Sequence, residues 1–376
     1  MRIAQISPLH ESVPPTLYGG TERVVATLAD ALTDLGHEVT VFASADSRTR
    51  ARLHPCRDRA IRLDRARSWE LPAHLDQMEE VRARAGEFDI LHFHTDCLQM
   101  ALFGDIAGRT LTTLHGRLDH KDLRAFLARH RGFPLVSISD SQRAPVAFAN
   151  FVATIPHGME RDIITPPPRA ADDYVAFLGR MSPDKRPDRA IAIARRAGFP
   201  IKLAAKVDPW DRGWFDEHVA PHLDDPDVEF VGEIADSDKS AFLGNARALL
   251  FPIDWPEPFG LVMIEAMAAG TPAIAWPNGA APEVIDPGRT GFLAGDVDAA
   301  AAAVHAAAHL DRAEIRATFE RRFSARAMAE AYVDVYRALL GRRRAAKRAP
   351  RALTPERVAA VGGRRAAGAT RRPDNA

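Results

Sequence analysis

The stretch that decides the fold runs from 249 to 291 and reads LLFPIDWPEPFGLVMIEAMAAGTPAIAWPNGAAPEVIDPGRTG. Its opening apolar run, Leu249–Phe251, predicts a short buried strand, and Pro252 and Pro256 mark an exposed loop after it. An apolar helical pattern then begins near Pro258, which suits a first helical turn because its missing N–H needs no partner there. The stretch therefore predicts a strand, a loop and a helix in succession.

The start of this helix suits an anion. The N–H groups of Phe259, Gly260, Leu261 and Val262 would point out of the helix beside its positive dipole end, which favours a phosphate. Glycine at 260 would let a ligand approach the backbone closely. The sequence therefore predicts a phosphate cradle.

Two acids flank the cradle. Glu257 stands just ahead of the helix and Glu265 about a turn and a half further along it. Carboxylates accept hydrogen bonds from sugar or ribose hydroxyls, so the expected ligand has one charged end and one hydroxyl-rich end. An ordinary strand, loop and helix with solvated glutamates stays open on spacing alone.

The same residues carry a resemblance to a known family. Glu257 and Glu265, with Pro-Phe-Gly between them and Ala-Gly-Thr-Pro after them, resemble the paired-glutamate signature of the retaining glycosyltransferases of family 4. The resemblance implies the α/β fold named GT-B, in which two Rossmann-like domains face each other across a cleft. It also implies a C-terminal helix that crosses back onto the first domain.

Length and composition agree with a fold of this size. The 376 residues are enough for two α/β domains, and no run of about 18 apolar residues predicts a membrane span. The N-terminus begins directly as a strand without a secretion signal, and Cys56 and Cys97 form no CxxC pair. A cytoplasmic protein without a disulfide framework or a cysteine zinc site is expected.

The neutral chain hides a charge asymmetry. From Gly341 onward the tail carries a net charge of +9, so the rest of the chain carries −9. The tail is rich in Ala, Arg and Gly, which predicts disorder. It could contact nucleic acid or an anionic membrane surface, giving a peripheral position at the inner membrane, or it could simply be a solubilising segment.

The first domain opens with a strand, a loop and a helix that begins at Gly19 and Gly20. A glycine pair at a helix start can bring backbone amides to a phosphate or a sugar, although a simple tight turn gives the same pattern. GxGxxG is absent, so a dinucleotide fingerprint is not predicted. By resemblance to the first family 4 motif, the glycine pair belongs to the donor site.

Histidines follow two strands of this domain. His92 and His94 would share one face of their strand, but without a third ligand at a fitting spacing they do not predict a metal site. His115 follows the next strand, at the edge where open α/β sheets bind ligands. Its Thr-Leu-His-Gly context resembles the family's sugar-contacting histidine. His157 departs from the family's Asn-Gly-Val-Asp pattern and is assigned no chemistry.

The second domain is predicted to start after a proline-rich linker at 165–169. Arg180 and Lys185 on one turn after a strand suit a diphosphate, and their spacing matches the family's diphosphate motif. By resemblance, the segment that ends at Ile234 holds the nucleobase. Asp236 opens a DxD triplet, but acids and serines at this position commonly begin a helix, so no metal site is expected.

Four segments follow from these boundaries: an acceptor-side domain at 1–165, a nucleotide-sugar-binding domain at 172–322, a crossover helix at 323–340 and the basic tail at 341–376. The expected catalytic residues are His115 and Glu257. The expected donor-binding residues are Gly19, Gly20, Arg180, Lys185, Ile234, Phe259, Gly260, Leu261, Val262 and Glu265.

The resemblance implies a retaining glycosyltransferase that moves a hexosyl unit from a nucleotide-sugar to a hydroxyl acceptor. A UDP-sugar is favoured over a GDP- or ADP-sugar, and no cofactor or metal ion is expected. A nucleotide-sugar 2-epimerase of the same fold and a non-catalytic carbohydrate-binding protein stay open as alternatives. A glycosidase is disfavoured because it needs two carboxylates across one bond and has no use for a phosphate cradle.

Overall fold

The computed structural model describes residues 1–16, 19–64, 69–167 and 173–348, the last six of these by backbone alone. These ranges form two sheets, one of seven strands and one of six, and every paired strand in both runs parallel. Helices pack on both sheets. The α/β architecture predicted from the sequence is confirmed.

The first sheet has the strand order β3-β2-β1-β4-β5-β6-β7. Its strands are β1 (Arg2–Ile6), β2 (Glu38–Ser44), β3 (Arg52–Arg57), β4 (Ile90–Phe93), β5 (Thr110–Thr113), β6 (Leu135–Ser137) and β7 (Phe151–Thr154). Its helices are α1 (Gly20–Asp34), α2 (Glu70–Ala83), α3 (Lys121–Arg129) and α4 (Asp140–Arg143).

The second sheet has the order β10-β9-β8-β11-β12-β13. Its strands are β8 (Val175–Arg180), β9 (Ile201–Lys206), β10 (Val228–Gly232), β11 (Leu249–Phe251), β12 (Ala273–Ala275) and β13 (Gly291–Leu293). The helices from here on are α5 (Pro187–Ala197), α6 (Arg212–His218), α7 (Asp236–Gly244), α8 (Leu261–Ala268), α9 (Ala281–Val284), α10 (Val297–Ala306), α11 (Arg312–Arg322) and α12 (Ala325–Arg348).

The strand order of each sheet reverses at one point, between β1 and β4 in the first and between β8 and β11 in the second. At such a point the two following loops leave in opposite directions and open a crevice at the carboxyl ends of the strands. The first crevice receives the loops after β1 and β4. The second receives the loops after β8 and β11, which carry Lys185 and Glu257.

Helix α12 returns from the second sheet to the first domain. Its Tyr332 and Tyr336 are fully buried among residues of β1 and α1. The chain enters the helix beside Gly158, where an added Cβ would lie 2.6 Å from the carbonyl oxygen of Ser324. A side chain at 158 would therefore push the start of the helix away from the first domain.

Three elements differ from the sequence expectations. The charged segment before α2, where the sequence predicted no strand, contains β3, a half-exposed edge strand whose Pro55 is tolerated because one side of an edge strand has no partner. Helix α8 begins at Leu261, so Pro258 and Phe259 lie in the preceding turn instead of the first helical turn. Helix α12 continues to Arg348, past the expected end at 340.

Two expectations reach beyond the described residues. The expected linker at 165–169 is described only as far as 167, and the basic tail is described only as far as 348. The expected disorder of the tail lies outside the described residues from 349 onward, and its first eight residues are helical.

Candidate active site

A cavity of about 650 Å³ lies where the carboxyl ends of the two sheets face each other. It is lined by residues of both domains. All twelve residues that the sequence nominated line this one cavity: Gly19, Gly20, His115, Arg180, Lys185, Ile234, Glu257, Phe259, Gly260, Leu261, Val262 and Glu265. The structure thus brings them together; the role of each stays a prediction.

Lys185 and Glu257 meet at the crevice of the second sheet. The Lys185 ammonium donates a hydrogen bond to Oε2 of Glu257, and Trp255 Nε1 donates to the same oxygen at 2.9 Å. The Lys185 nitrogen also lies 4.8 Å from the centre of the Trp255 ring, within cation–π distance. The carboxylate and the ammonium are therefore both held in place.

The start of α8 faces the same cavity. Gly260 precedes the helix with a φ of 82°, and a Cβ there would lie 2.7 Å from Met263 Cε, so the position favours glycine. The first N–H groups of a helix have no partner inside it, which leaves those of Leu261 and Val262 for an outside acceptor. The anion cradle expected from the sequence would use these groups, and the helix begins three residues later than expected.

A second glycine fixes the Glu257 loop. Gly279 has a φ of 60°, and a Cβ there would lie 2.2 Å from the carbonyl oxygen of Glu257. That oxygen accepts a hydrogen bond from Ala280 N at 2.9 Å. Ala280 has a φ of −80°, which any residue with a side chain can adopt.

Charges of alternating sign lead from Glu265 to the first domain. Lys239 Nζ lies 2.8 Å from Glu265 Oε1 and 3.0 Å from Asp236 Oδ1, and Arg23 of α1 donates to the other oxygen of Asp236. Burial opposes the charge on Lys239, but the two acids raise its pKa above the ordinary value. Asp236 is also partly buried, yet Lys239 and Arg23 lower its pKa. The first acid of the DxD triplet is therefore engaged in ion pairs.

His115 lies in a row of histidines at the carboxyl ends of the first sheet. Its Nε2 is 2.9 Å from His94 Nδ1, and its Nδ1 is 3.4 Å from His157 Nε2. Burial lowers the pKa of His115 to about 3 and holds the pKa values of His94 and His157 well below their ordinary range. All three rings are therefore neutral at physiological pH.

Several lining residues were not nominated by the sequence. His157, Lys239, Arg23 and Asp236 all line the cavity, and Trp255 holds Glu257 beside it. His157 packs edge-on against Phe259 of the second domain, with 5.0 Å between ring centres. Its departure from the family pattern was the one sequence signal that set it apart.

A neighbouring cavity of about 910 Å³ lies on the first domain. It shares Gly19, Gly20 and His115 with the first cavity, and its own lining includes His10, Arg62, Trp69, Glu70 and Asp96. Two adjoining cavities meet at His115, which gives room for a second ligand beside the first.

Direct contacts hold the two domains together near the cavities. Ser139 Oγ donates to the carbonyl oxygen of Pro258 at 2.7 Å. Glu283 of α9 accepts hydrogen bonds from the backbone N–H groups of Asp140 and Ser141, both at 2.7 Å. The Glu283 carboxylate thus caps the start of α4 from the opposite domain, so the cleft is closed on this side.

Among the described residues, one group of three side chains could supply metal ligands: His54, Cys56 and Glu80. Their ligand atoms lie within 4.8 Å of one another, outside the two cavities. Glu80 lies 2.7 Å from His54 Nε2, and Arg84 donates to His54 Nδ1 at 2.6 Å. Burial raises the pKa of the Cys56 thiol far above its ordinary value. These side chains form a hydrogen-bonded cluster, and the Arg84 guanidinium beside them places a positive charge close to where a metal ion would bind.

Among the described residues, no helix combines the length and the apolar character that crossing a membrane requires.

Two family models match most of the chain. The model for Glycosyltransferase Family 4 matches residues 18–154, and the model for Glycosyl transferases group 1 matches residues 160–323. The first match holds Gly19, Gly20 and His115, and the second holds the other nine nominated residues.

Individual proteins agree with the family models. A phosphatidyl-myo-inositol mannosyltransferase of Mycolicibacterium smegmatis is 28% identical over 355 residues, which are 87% of this chain and 89% of that protein. The solved structure of AviGT4, a glycosyltransferase involved in avilamycin A biosynthesis, has a TM-score of 0.72 at 24% identity and covers 90% of this chain and 98% of its own.

Anabaena HepE in complex with UDP-glucose has a TM-score of 0.67 at 18% identity, covering 90% of this chain and all of its own. The solved relatives share the architecture of two facing Rossmann-like domains. The chain belongs to the family 4, or group 1, glycosyltransferases and has the GT-B fold.

Proposed function

We propose that this protein transfers a hexosyl unit from a nucleotide-sugar, a UDP-sugar first among them, to a hydroxyl acceptor, with retention at the anomeric carbon and without a metal ion. The observation that carries the proposal is the convergence of Arg180, Lys185 and the start of α8 on one cavity, with Glu257 and Glu265 beside them. This set matches a ligand with a diphosphate between two hydroxyl-bearing groups.

The leaving diphosphate gains negative charge as the glycosidic bond breaks. Arg180 and Lys185 supply two positive charges, and the unpaired N–H groups at the start of α8 supply further donors. Both cations are already oriented, Arg180 by Asp184 at 3.1 Å and Lys185 by Glu257. Because side chains and backbone neutralise this charge, the reaction needs no metal ion.

The two glutamates divide the rest of the donor between them. Glu265 lies in α8 beyond the cradle and would accept hydrogen bonds from the ribose hydroxyls, while the segment ending at Ile234 holds the base. Glu257 lies on the other side of the cradle and would hold the hydroxyls of the transferred sugar. Both carboxylates are oriented by lysines, Glu265 by Lys239 and Glu257 by Lys185.

A front-face path fits these assignments. The bond from the anomeric carbon to the diphosphate breaks, the bond to the acceptor oxygen forms on the same face, and the acceptor proton goes to the leaving diphosphate oxygen. Glu257 is not needed as a nucleophile, and its carboxylate is tied to Lys185 and Trp255. His115 orients the sugar or the acceptor from the first domain.

The donor class rests on the relatives. HepE of the same fold holds UDP-glucose, and the mycobacterial relative is named a mannosyltransferase, so a hexose on a nucleoside diphosphate is proposed here. The neighbouring cavity of about 910 Å³, which shares His115, favours a transferase with an acceptor over an epimerase, which has none. A cytoplasmic location stays a prediction.

Product analysis tests the proposal. The protein is incubated with UDP-glucose, GDP-mannose or ADP-glucose and simple glycoside acceptors, with and without EDTA, and the products are examined by proton NMR. We expect a glycoside of retained anomeric configuration from one donor at an EDTA-independent rate. An inverted product, loss of activity in EDTA, or a C2 epimer of the donor as sole product would contradict it.

A further inference from the structure

A continuous chain of hydrogen bonds connects His115 to the crossover helix through the interior of the first domain. From His115 it passes to His94, then to Gln5 of β1, and then to Tyr336 of α12. It continues from Tyr336 to His92 and ends at the hydroxyl of Thr113, which also meets Tyr332. We call these residues, with His157 at the cavity end, the polar chain.

Each link of the polar chain from His94 to Thr113 is short. His94 Nε2 is 2.7 Å from Gln5 Oε1, and Gln5 Nε2 is 3.1 Å from the Tyr336 hydroxyl. His92 Nδ1 is 2.8 Å from that hydroxyl, and His92 Nε2 is 2.8 Å from Thr113 Oγ1. Gln5, His92, His94 and Tyr336 are all fully or almost fully buried, so water does not compete for these bonds.

Between Gln5 and His157 the protons of the polar chain must all point the same way. Burial keeps each histidine neutral, and a neutral ring has one donor and one acceptor nitrogen. Once one group is assigned, its neighbours are determined in turn. From Gln5 to His157 only two arrangements satisfy every link, and they differ by turning the Gln5 amide over and moving the proton of each ring to its other nitrogen.

In the first arrangement the protons point away from the cavity. Gln5 donates from Nε2 to Tyr336 and accepts at Oε1, so His94 carries its proton on Nε2 and accepts at Nδ1. His115 then carries its proton on Nε2 and accepts at Nδ1. His157 donates from Nε2, which leaves its Nδ1 as a bare lone pair.

His157, at the cavity end of the polar chain, decides between the two arrangements. Within the described part of the chain, buried His157 Nδ1 has no hydrogen-bond partner. The second arrangement would place a proton there and bury an unpaired donor, whereas the first leaves only an unpaired acceptor. Buried unpaired donors are the rarer and costlier case. The orientation of the Gln5 amide in the structure agrees with the first arrangement.

We propose that Gln5, His94 and Tyr336 are positioning residues that fix His115 with its proton on Nε2, so that His115 Nδ1 serves as a hydrogen-bond acceptor for a substrate hydroxyl. At 3.4 Å the hydrogen bond between Nδ1 and His157 is the longest and weakest link of the polar chain, whereas the His94 contact on the other side is 2.9 Å. A hydroxyl therefore displaces His157 and leaves His94 in place. The step from tautomer to substrate rests on the proposed function; the tautomer itself does not.

Two tyrosines of α12 give a matched pair of variants. Tyr336→Phe removes the partner of the Gln5 Nε2–H, so the first arrangement then also buries an unpaired donor and both tautomers of His115 become populated. Tyr332→Phe removes an equally buried hydroxyl from the same helix, but among the described residues that hydroxyl bonds only to Thr113, which lies beyond His92 and outside the links from Gln5 to His157. Gln5→Met interrupts the chain at its centre and serves as a second test if Tyr336→Phe fails to fold.

Nitrogen NMR of protein labelled with ¹⁵N-histidine reads the tautomer without any substrate, because protonated and bare ring nitrogens resonate far apart. His115→Asn identifies the signals. We expect a single Nε2–H tautomer for His115 in the wild type and in Tyr332→Phe, and a mixture in Tyr336→Phe and Gln5→Met. An Nδ1–H tautomer in the wild type, or an unchanged tautomer in both test variants, would overturn the proposal.

Activity adds an independent readout. If only the Nε2–H tautomer accepts the substrate hydroxyl, the transfer rate of Tyr336→Phe relative to the wild type equals the fraction of that tautomer seen by NMR. An equal mixture gives a twofold loss, and Tyr332→Phe gives none. Full activity in a variant with mixed tautomers would refute the substrate contact. An inactive wild type with a single tautomer would refute the proposed function and leave the positioning role standing.

Discussion

Lys185 and Glu257 come from two loops 72 residues apart and form an ion pair across the crevice between β8 and β11. The proposed function gives them different parts of the donor, the diphosphate to Lys185 and the sugar hydroxyls to Glu257. Their contact means that the phosphate and sugar subsites are built as one unit. Losing either side chain should therefore disturb both.

Lys185→Ala should weaken donor binding about 10- to 100-fold, because a charge-assisted hydrogen bond to phosphate contributes about 1.5 to 3 kcal/mol. Isothermal titration with the active nucleotide-sugar measures this change. Lys202→Ala is the control: Lys202 also pairs with a glutamate, Glu229, and lies 4.8 Å from an aromatic ring, Tyr174, but away from the cavity. Equal donor affinities in the two variants would show that Lys185 does not bind the diphosphate.

Glu265→Gln should weaken binding of the free nucleoside and of the nucleoside diphosphate by the same factor, because the ribose is present in both. Lys185→Ala, in contrast, should weaken only the diphosphate. Titration of each variant with the two ligands separates ribose from phosphate contacts. Glu229→Gln, at an exposed position away from the cavity, is the control and should leave binding of both ligands unchanged. If Glu265→Gln binds the nucleoside as tightly as this control does, the ribose assignment is wrong.

Gly279→Ala should destabilise the protein and lower donor affinity together. A left-handed residue with a Cβ costs about 1 to 2 kcal/mol, and the added Cβ would also lie 2.2 Å from the Glu257 carbonyl oxygen. Gly288→Ala carries the first cost alone, since Gly288 has a φ of 75° and open space around its Cβ position. Thermal unfolding and donor titration should show a larger loss for Gly279→Ala in both. Identical losses of stability and donor affinity in the two variants would mean that the close contact with Gly279 does not hold the Glu257 loop.

Acid should destabilise the protein through its buried histidines. Burial lowers the folded-state pKa of His92 and its neighbours well below 6.5, so the unfolded chain binds more protons once the pH falls below about 6.5. The free energy of unfolding then decreases on acidification, by up to about 1.4 kcal/mol per pH unit for each such histidine.

Urea unfolding from pH 7 to pH 5 measures this slope. His92→Asn should flatten it, whereas His309→Asn, at an exposed position, should not. Comparing slopes between variants cancels the buried carboxyls Glu11 and Glu22, whose raised pKa values act with the opposite sign. A slope that is unchanged in His92→Asn would show that this ring does not titrate on unfolding.

Local sequence patterns were enough for much of the fold. Strand β11 has the bounds that the sequence indicated, because it is a short apolar run with clear ends. Edge strand β3 was missed because it is charged and half-exposed, so it shows no apolar alternation. The end of α12 was missed because Ala and Arg favour both a helix and a disordered tail.

The site divides in the same way. The twelve nominated residues that line the cavity were found because they sit in contiguous motifs. The partners that orient them were not, because they come from distant parts of the chain: Gln5 and Tyr336 are 331 residues apart, and Arg23 and Asp236 are 213 apart. Pairs so far apart in sequence form no local motif, so only the folded structure shows that they are in contact.

The most direct test of the central claim is thermal unfolding of the wild type and Lys185→Ala with UDP-, GDP- and ADP-sugars, with and without EDTA. We expect one donor to stabilise the wild type, by about 2.7 kcal/mol at a hundredfold excess over its dissociation constant, unaffected by EDTA and much reduced in Lys185→Ala. If no nucleotide-sugar stabilises the wild type, or if stabilisation disappears in EDTA, the cavity is not the metal-independent donor site described above.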